Sequence, residues 1–151
     1  MKDAPQEIRT FFVTSVAHGR NPLFKKEETA RLFLNVLQDN RTKGHYLLHE
    51  FVLMPDHFHL IITPAQDVPL EKAIQYIKGG FSFRAKKELS LQSLVWQESF
   101  TNHRIRDSED YYRHREYIHQ NPVKAGLARM LSEYPYSSGF AGVDVDPTPQ
   151  G

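Results

Sequence analysis

Two apolar runs, Leu47 to Leu53 and His57 to Thr63, face each other across the short link Met54-Pro55-Asp56. Runs of this length and content around a Pro-Asp turn predict a β-hairpin, and Pro64 ends the second strand because proline cannot donate to a sheet ladder. Upstream, Phe11 to Val16 (FFVTSV) is aromatic and β-branched and predicts a strand before the turn cluster His18-Gly19-Arg20-Asn21-Pro22. Between them, Ala30, Phe33, Leu34 and Leu37 recur at helical spacing and predict an amphipathic helix over Lys26 to Gln38. Downstream, Leu70, Ile74, Ile77, Phe81 and Leu89 mark a second long helix. Gly79 and Gly80 interrupt it at about 1 kcal/mol each relative to alanine, so they invite a kink or a close approach by another helix or a ligand. A fourth strand is expected within Leu94 to Ile105. Asp107 and Ser108 can cap a third helix with Glu109 and Asp110 in its first turn, running to about Asn121. The order β-α-β-β-α-β-α predicts an α+β fold: a ferredoxin-like, four-stranded antiparallel sheet with helices packed on one face and the other face open for a site.

A chain of 151 residues, 40% apolar and 25% charged, is expected to form a single domain. Its core is expected over about 9–129, a C-terminal extension over 130–142 and a loose tail over 143–151, where Pro, Ser and Gly accumulate. The absence of cysteine excludes disulfides, thiolate zinc sites and a cysteine nucleophile, and fits a reducing compartment. No run has the length of a membrane span, and the N-terminal MKDAPQEIRT has no apolar signal-peptide core. A cytoplasmic location is the expectation. Net charge is only +1, but its distribution is uneven. Between Tyr76 and Arg106 the cations Lys78, Arg84, Lys86, Lys87, Arg104 and Arg106 face only Glu88 and Glu98. Such a segment is either a footprint for phosphate backbone or a solvated helix face.

His57-Phe58-His59 lies at the start of the predicted third strand. Side chains alternate across a strand, so the two imidazoles share one face and can chelate one ion, while Phe58, Leu60 and Ile62 point to the core. Alone the motif is unspecific: with eight histidines in the chain, some His-x-His arises by chance at an expectation of about 0.4. Tyr117 and Asn121 are four apart on the third helix and share a face. A tyrosine can serve as a nucleophile and an asparagine oxygen as a metal ligand. A tyrosine hydroxyl, titrating near 10, needs activation by a metal or base. The competing readings are core packing for Tyr117, and Asn121-Pro122 as N-cap and first residue of a short helix ending near Gly126. Asp56 reads as a turn residue. His49 and Glu50, on the neighbouring strand, could orient a histidine. His103, His114 and His119 are scattered and unspaced for metal. No Gly-rich phosphate loop, Ser-His-Asp arrangement or zinc-knuckle spacing is present.

Read in order, the fragments form a pattern: Met54-Pro55-Asp56-His57-Phe58-His59-Leu60; Ile77-Lys78-Gly79 with Phe81-Ser82; Trp96-Gln97 with Phe100; Tyr117 through Leu127 (YIHQNPVKAGL); and Tyr134-Pro135-Tyr136-Ser137-Ser138. Over roughly residues 9 to 140 the chain resembles the REP-associated tyrosine transposases, a branch of the insertion-sequence-200-like single-tyrosine transposases. The resemblance implies a fold of the HUH (His, hydrophobic residue, His) endonuclease type. It implies His57, His59 and Asn121 as ligands of a divalent metal, Mg²⁺ or Mn²⁺, and Tyr117 as nucleophile. Tyr111 and Tyr112 fall outside the motif. The implied reaction is cleavage and strand transfer of single-stranded DNA beside hairpin-forming palindromic repeats, through a 5′-phosphotyrosine link and a free 3′-hydroxyl. The expected partner is single-stranded or hairpin DNA, with Lys78, Arg84, Lys86, Lys87, Arg104 and Arg106 as candidate backbone contacts. Tyr134 and Tyr136 either stack on bases or anchor the C-terminal extension. The protein is expected to act as a monomer or a homodimer, with no membrane partner. Two alternatives make different demands: a hairpin-binding protein with vestigial activity, and a metal-dependent hydrolase that uses water and tolerates Tyr117→Phe.

Overall fold

The computed structural model describes residues 9–149. Residues 1–8, which hold most of the stretch expected to lack a signal-peptide core, and 150–151, the end of the expected tail, lie outside the described residues. Strands β1 (Phe11–Val16), β2 (Tyr46–Met54), β3 (His57–Pro64) and β4 (Thr101–Arg104) alternate with helices α1 (Glu27–Thr42), α2 (Leu70–Leu89) and α3 (Ser108–Lys124) in the expected order. The sheet runs β2-β3-β1-β4, every neighbouring pair antiparallel. This is the ferredoxin-like arrangement. Among the described residues no helix is long and apolar enough to cross a membrane.

Alternation along β3 divides the molecule into two layers. Phe58, Leu60 and Ile62 join Phe33, Val36 and Leu37 of α1 and Ile74, Ile77 and Phe81 of α2 in the larger core cluster. Its centre is aromatic: Phe33 lies 5.1 Å from Phe58, and Phe24 lies 5.5 Å from both Phe33 and Trp96, centroid to centroid. Burying each such ring contributes on the order of 2–3 kcal/mol, which makes this face the main source of stability. The two glycines of α2 play different parts. A Cβ at Gly80 would come within 3.2 Å of Val36, so Gly80 lets α1 approach; a Cβ at Gly79 would meet only its own helix's Gln75, at 4.0 Å.

The opposite face is not left open, contrary to the expectation of helices on one side only. Helix α3 docks there through Tyr111 and Ile118 against Val52 and Ile61, with Met54 and Tyr134 completing a smaller cluster. Asp107 caps α3, its side chain accepting from the Asp110 backbone N–H at 2.8 Å. The helix also does not stop at Asn121. It continues through Pro122 to Lys124, and Asn121 is not the N-cap of a separate helix. Proline costs one hydrogen bond to the residue four earlier, and so near the helix end burial of the Pro122 ring offsets that cost.

Within the span expected to be a loose tail, residues 143–147 make contacts with the rest of the fold. Asp146 accepts from Arg41 at 3.0 and 3.1 Å and from the Leu48 backbone N–H at 2.7 Å, and its own N–H donates to Leu48 at 2.7 Å. Val143 and Val145 rest on the core. Earlier in the extension, Tyr134 is buried and donates its hydroxyl to the Leu53 carbonyl at 2.6 Å, which makes it an anchor.

Candidate functional site

The sheet face beneath α3 gathers polar residues. The register pairs Thr14 with His59 and Val16 with His57, and on the other side Val52 with His59. Because directly paired residues share a face, His57, His59, Thr14 and Phe12 all look toward α3. Phe12 stacks on His59 at 5.3 Å. Tyr117 then stands against both, 5.3 Å from His59 and 6.0 Å from Phe12 between ring centroids. Tyr117 is nevertheless 51% exposed, so this is not the core packing that a helical aromatic usually signals. Asn121 lies half-buried one helical turn further along α3.

Each histidine has one nitrogen engaged. His57 Nδ1 lies 2.6 Å from the Asp56 carboxylate, and His59 Nδ1 lies 2.7 Å from the Thr14 hydroxyl. Asp56 is thus the turn residue expected and also His57's partner. Burial alone would raise its carboxyl, but the hydrogen bond and charge of His57, with help from Arg20, hold it below the usual range. His59 is only 4% exposed, and its Nε2 is buried without a hydrogen-bond partner. Burial, followed by the neighbouring His57, pushes its pKa down to about 3, so the ring is a neutral donor at physiological pH. An orphaned neutral imidazole nitrogen beside a second imidazole 4.9 Å away fits a divalent metal of the softer, nitrogen-accepting kind. Of the two metals that the sequence implied, these imidazole donors fit Mn²⁺ better than Mg²⁺, with Asn121 as the candidate oxygen ligand.

Glu50 fixes α3 in place. It accepts from His119 Nε2 at 2.7 Å, Arg115 Nε at 3.2 Å and Ser138 Oγ at 2.6 Å, linking β2, α3 and the C-terminal extension. Burial alone would raise its carboxyl, but His119 and Ser138, with Arg115's charge, outweigh it and hold it low. Glu50 does orient a histidine, though His119 rather than His57 or His59. His49 instead bonds Thr63 and the Pro147 carbonyl.

The cations divide by face. Lys78, Arg84, Lys86 and Lys87 belong to α2, in the layer on the far side of the sheet from His57 and His59. Lys78 donates to the Gln97 and Ser99 carbonyls, and Arg84 is paired with Glu88 at 2.6 Å and Asp39 at 3.1 Å. Lys86 and Lys87 are exposed. Arg104 and Arg106 lie on and just after β4, at the sheet edge next to the α3 N-terminus.

Thr14 gave no signal in the sequence, since its partnership with His59 exists only through the β1–β3 register. The histidines dismissed as scattered are also brought together in part: His103 and His114 converge on Asp110.

A ferredoxin-like sheet with His-hydrophobic-His on one strand and a tyrosine helix docked over it is the HUH arrangement. Residues 9–121 match the family described as transposase, IS200 like, and the chain belongs to that family. The REP-associated tyrosine transposase of Escherichia coli strain K12 is 34% identical over 129 residues, covering 85% of this chain and 74% of that protein. A Haemophilus influenzae relative provisionally given the same name is 32% identical over 108 residues, 65% of this chain, and the match spans only 61% of that relative's length. Among solved structures, a REP-associated tyrosine transposase bound to a REP hairpin aligns with TM-score 0.73 at 25% identity, covering 91% of this chain and 82% of that one. A Deinococcus radiodurans protein provisionally described as a transposase shares the fold, with TM-score 0.56 at 17% identity over 78% of this chain and 95% of that one.

Proposed function

We propose that this protein cuts and rejoins single-stranded DNA beside hairpin-forming palindromic repeats, with Tyr117 as nucleophile and His57, His59 and Asn121 as metal ligands. The observation that carries this reading is the placement of a half-exposed Tyr117 edge-on to His59, whose Nε2 is buried and unpartnered. A bound Mg²⁺ or Mn²⁺ supplies Lewis-acid polarisation of the scissile phosphate. His57 and His59 present their remaining nitrogens, held in orientation by Asp56 and Thr14. The Tyr117 oxygen attacks phosphorus and its proton leaves to solvent, while the departing 3′-oxygen takes a proton from solvent and becomes a free hydroxyl. The product is a 5′-phosphotyrosine link that another 3′-hydroxyl reverses, so joining needs no ATP. No water has to be activated, and the chemistry calls for no glutamate base.

Tyr117 meets His59 within one chain, which supports a site closed in the monomer without a tyrosine donated by a second subunit. For the DNA, the relative bound to a REP hairpin supports the substrate class. Arg104 and Arg106, on the β4 edge, are the better-placed contacts for the strand entering the site. Lys86 and Lys87 could track only DNA that wraps to the α2 layer, and Lys78 and Arg84 would first have to leave their present partners. The reaction belongs to the cytoplasm, where such DNA is met.

The test is incubation with single-stranded hairpin oligonucleotides and Mn²⁺, followed by denaturing electrophoresis. A denaturant-resistant protein–DNA adduct, lost in Tyr117→Phe while hairpin binding persists, is the expected result. Cleavage that survives Tyr117→Phe points to the hydrolase reading, and binding without cleavage under either metal points to a vestigial binder.

A further inference from the structure

A second set of metal-type donors lies on the same sheet face, apart from His57 and His59. His103 on β4 and Asp110 and His114 on α3 each bring a donor atom within 4.8 Å of the others. His103 Nε2 is 2.8 Å from Asp110 Oδ2, and His114 Nδ1 is 3.3 Å from Asp110 Oδ1. Asp110 and His114 are one helical turn apart and so share a face. His103 is brought to them by its pairing with Phe12 across the β1–β4 register.

Asp110 is the informative member. It is 4% exposed, and Oδ2 accepts from both His103 and the Arg106 backbone N–H, at 2.8 and 3.0 Å. Oδ1, by contrast, is buried with no hydrogen-bond partner. Its nearest neighbours give it no hydrogen bond: His114 Nδ1, 3.3 Å away, is turned to the Asp110 backbone carbonyl at 2.9 Å, and Arg113 makes only a 3.5 Å ion pair from a side chain 64% exposed. Burial alone would raise the carboxyl, but His103 and Arg106 outweigh it and keep it low, so Oδ1 carries anionic charge. A buried carboxylate oxygen without a donor is costly unless a cation serves it.

We propose that His103, Asp110 and His114 form a second binding site for a divalent ion of the zinc, cobalt(II) or manganese class. Two imidazoles and a carboxylate suit those ions; magnesium and calcium prefer all-oxygen sets. The ion takes the place of the proton between His103 Nε2 and Asp110, which in the neutral ring moves to Nδ1; because the ion competes with protons for the imidazoles and the carboxylate, affinity rises with pH. The His103 side chain is 37% exposed and provides the entrance. Three protein ligands leave coordination positions for water or a phosphate oxygen. A bound ion fastens β4 to the first turns of α3, the helix that carries Tyr117. Phe12 connects the two places, 4.8 Å from His114 and 5.3 Å from His59 between centroids. The inference does not depend on the DNA chemistry, and its test reads metal rather than cleavage.

The full chain carrying His57→Ala and His59→Ala, stripped of metal, is titrated with Zn²⁺ or Co²⁺ alone by calorimetry and visible absorption. One equivalent is expected to bind, with a Co²⁺ spectrum of a nitrogen–oxygen site, and adding His103→Gln should weaken binding roughly tenfold or more. In the wild-type chain, Zn²⁺ should shift the imidazole NMR signals of His103 and His114, a reading that needs no variant to fold. The proposal is overturned if the double variant binds no ion, if His103→Gln leaves binding unchanged, or if zinc leaves both imidazoles unmoved.

Discussion

The hydroxyl of Thr14 lies 2.7 Å from Nδ1 of His59, joining the first strand to the third at the centre of the candidate site. That bond fixes the ring and leaves Nε2 as the atom free for the proposed metal. Thr14→Val keeps the strand shape and removes the partner. Mn²⁺ affinity measured by calorimetry should fall about 10–100-fold. An unchanged affinity would show that the ring is held by packing against Phe12 alone.

Glu50 is the joint between the sheet and the tyrosine helix. Glu50→Gln removes the charge and one of the two acceptor oxygens, so His119, Arg115 and Ser138 compete for the one that remains in a largely buried place. Glu50→Gln should cost about 2 kcal/mol near neutrality, less than a fully buried pair because Arg115 is 43% exposed. Denaturant midpoints give the number, and a loss below about 0.5 kcal/mol would mean that the network contributes little.

The same residue sets a pH dependence. The folded-state pKa of Glu50 lies below its ordinary 4.5, and those of Asp110 and Asp146 lie below 3.8. A depressed carboxylate contributes stability that is complete above its unfolded value and is lost as pH falls through its folded value. Wild-type stability should therefore drop steeply below about pH 4.5. Glu50→Gln should start lower and fall less, the two curves converging in acid. Parallel curves would remove Glu50 from the account.

Gly79 and Gly80 are neighbours with opposite expectations. Gly79→Ala meets only Gln75, at 4.0 Å, and should stabilise by up to about 1 kcal/mol through helix propensity. Gly80→Ala presses on Val36, which is buried and has little room to yield, so it should be neutral or destabilising. Thermal melts that rank the two equally would contradict the close α1–α2 approach.

Local chemistry made much of this structure readable in advance. Alternation put His57 and His59 on one face and Phe58, Leu60 and Ile62 on the other, and Asp107 marked the start of α3. What stayed hidden depends on contacts between distant segments. Thr14 reaches His59 only through strand register, Asp146 reaches Arg41 across 105 positions, and Glu50 reaches His119 across 69. Pro122 misled because a helix-ending preference was outweighed by burial of its ring. His103 and His114 looked unrelated because one lies on a strand and the other on a helix.

The most direct measurement is the identity of the residue bonded to DNA. Trypsin cuts after Arg115 and Lys124, releasing a peptide, Glu116 to Lys124, with Tyr117 as its only tyrosine. Mass spectrometry of the digested adduct should find a 5′-linked nucleotide on that peptide, attached to the tyrosine oxygen. A nucleotide on Tyr111 or Tyr112, or cleaved DNA with no linked peptide, would contradict the account.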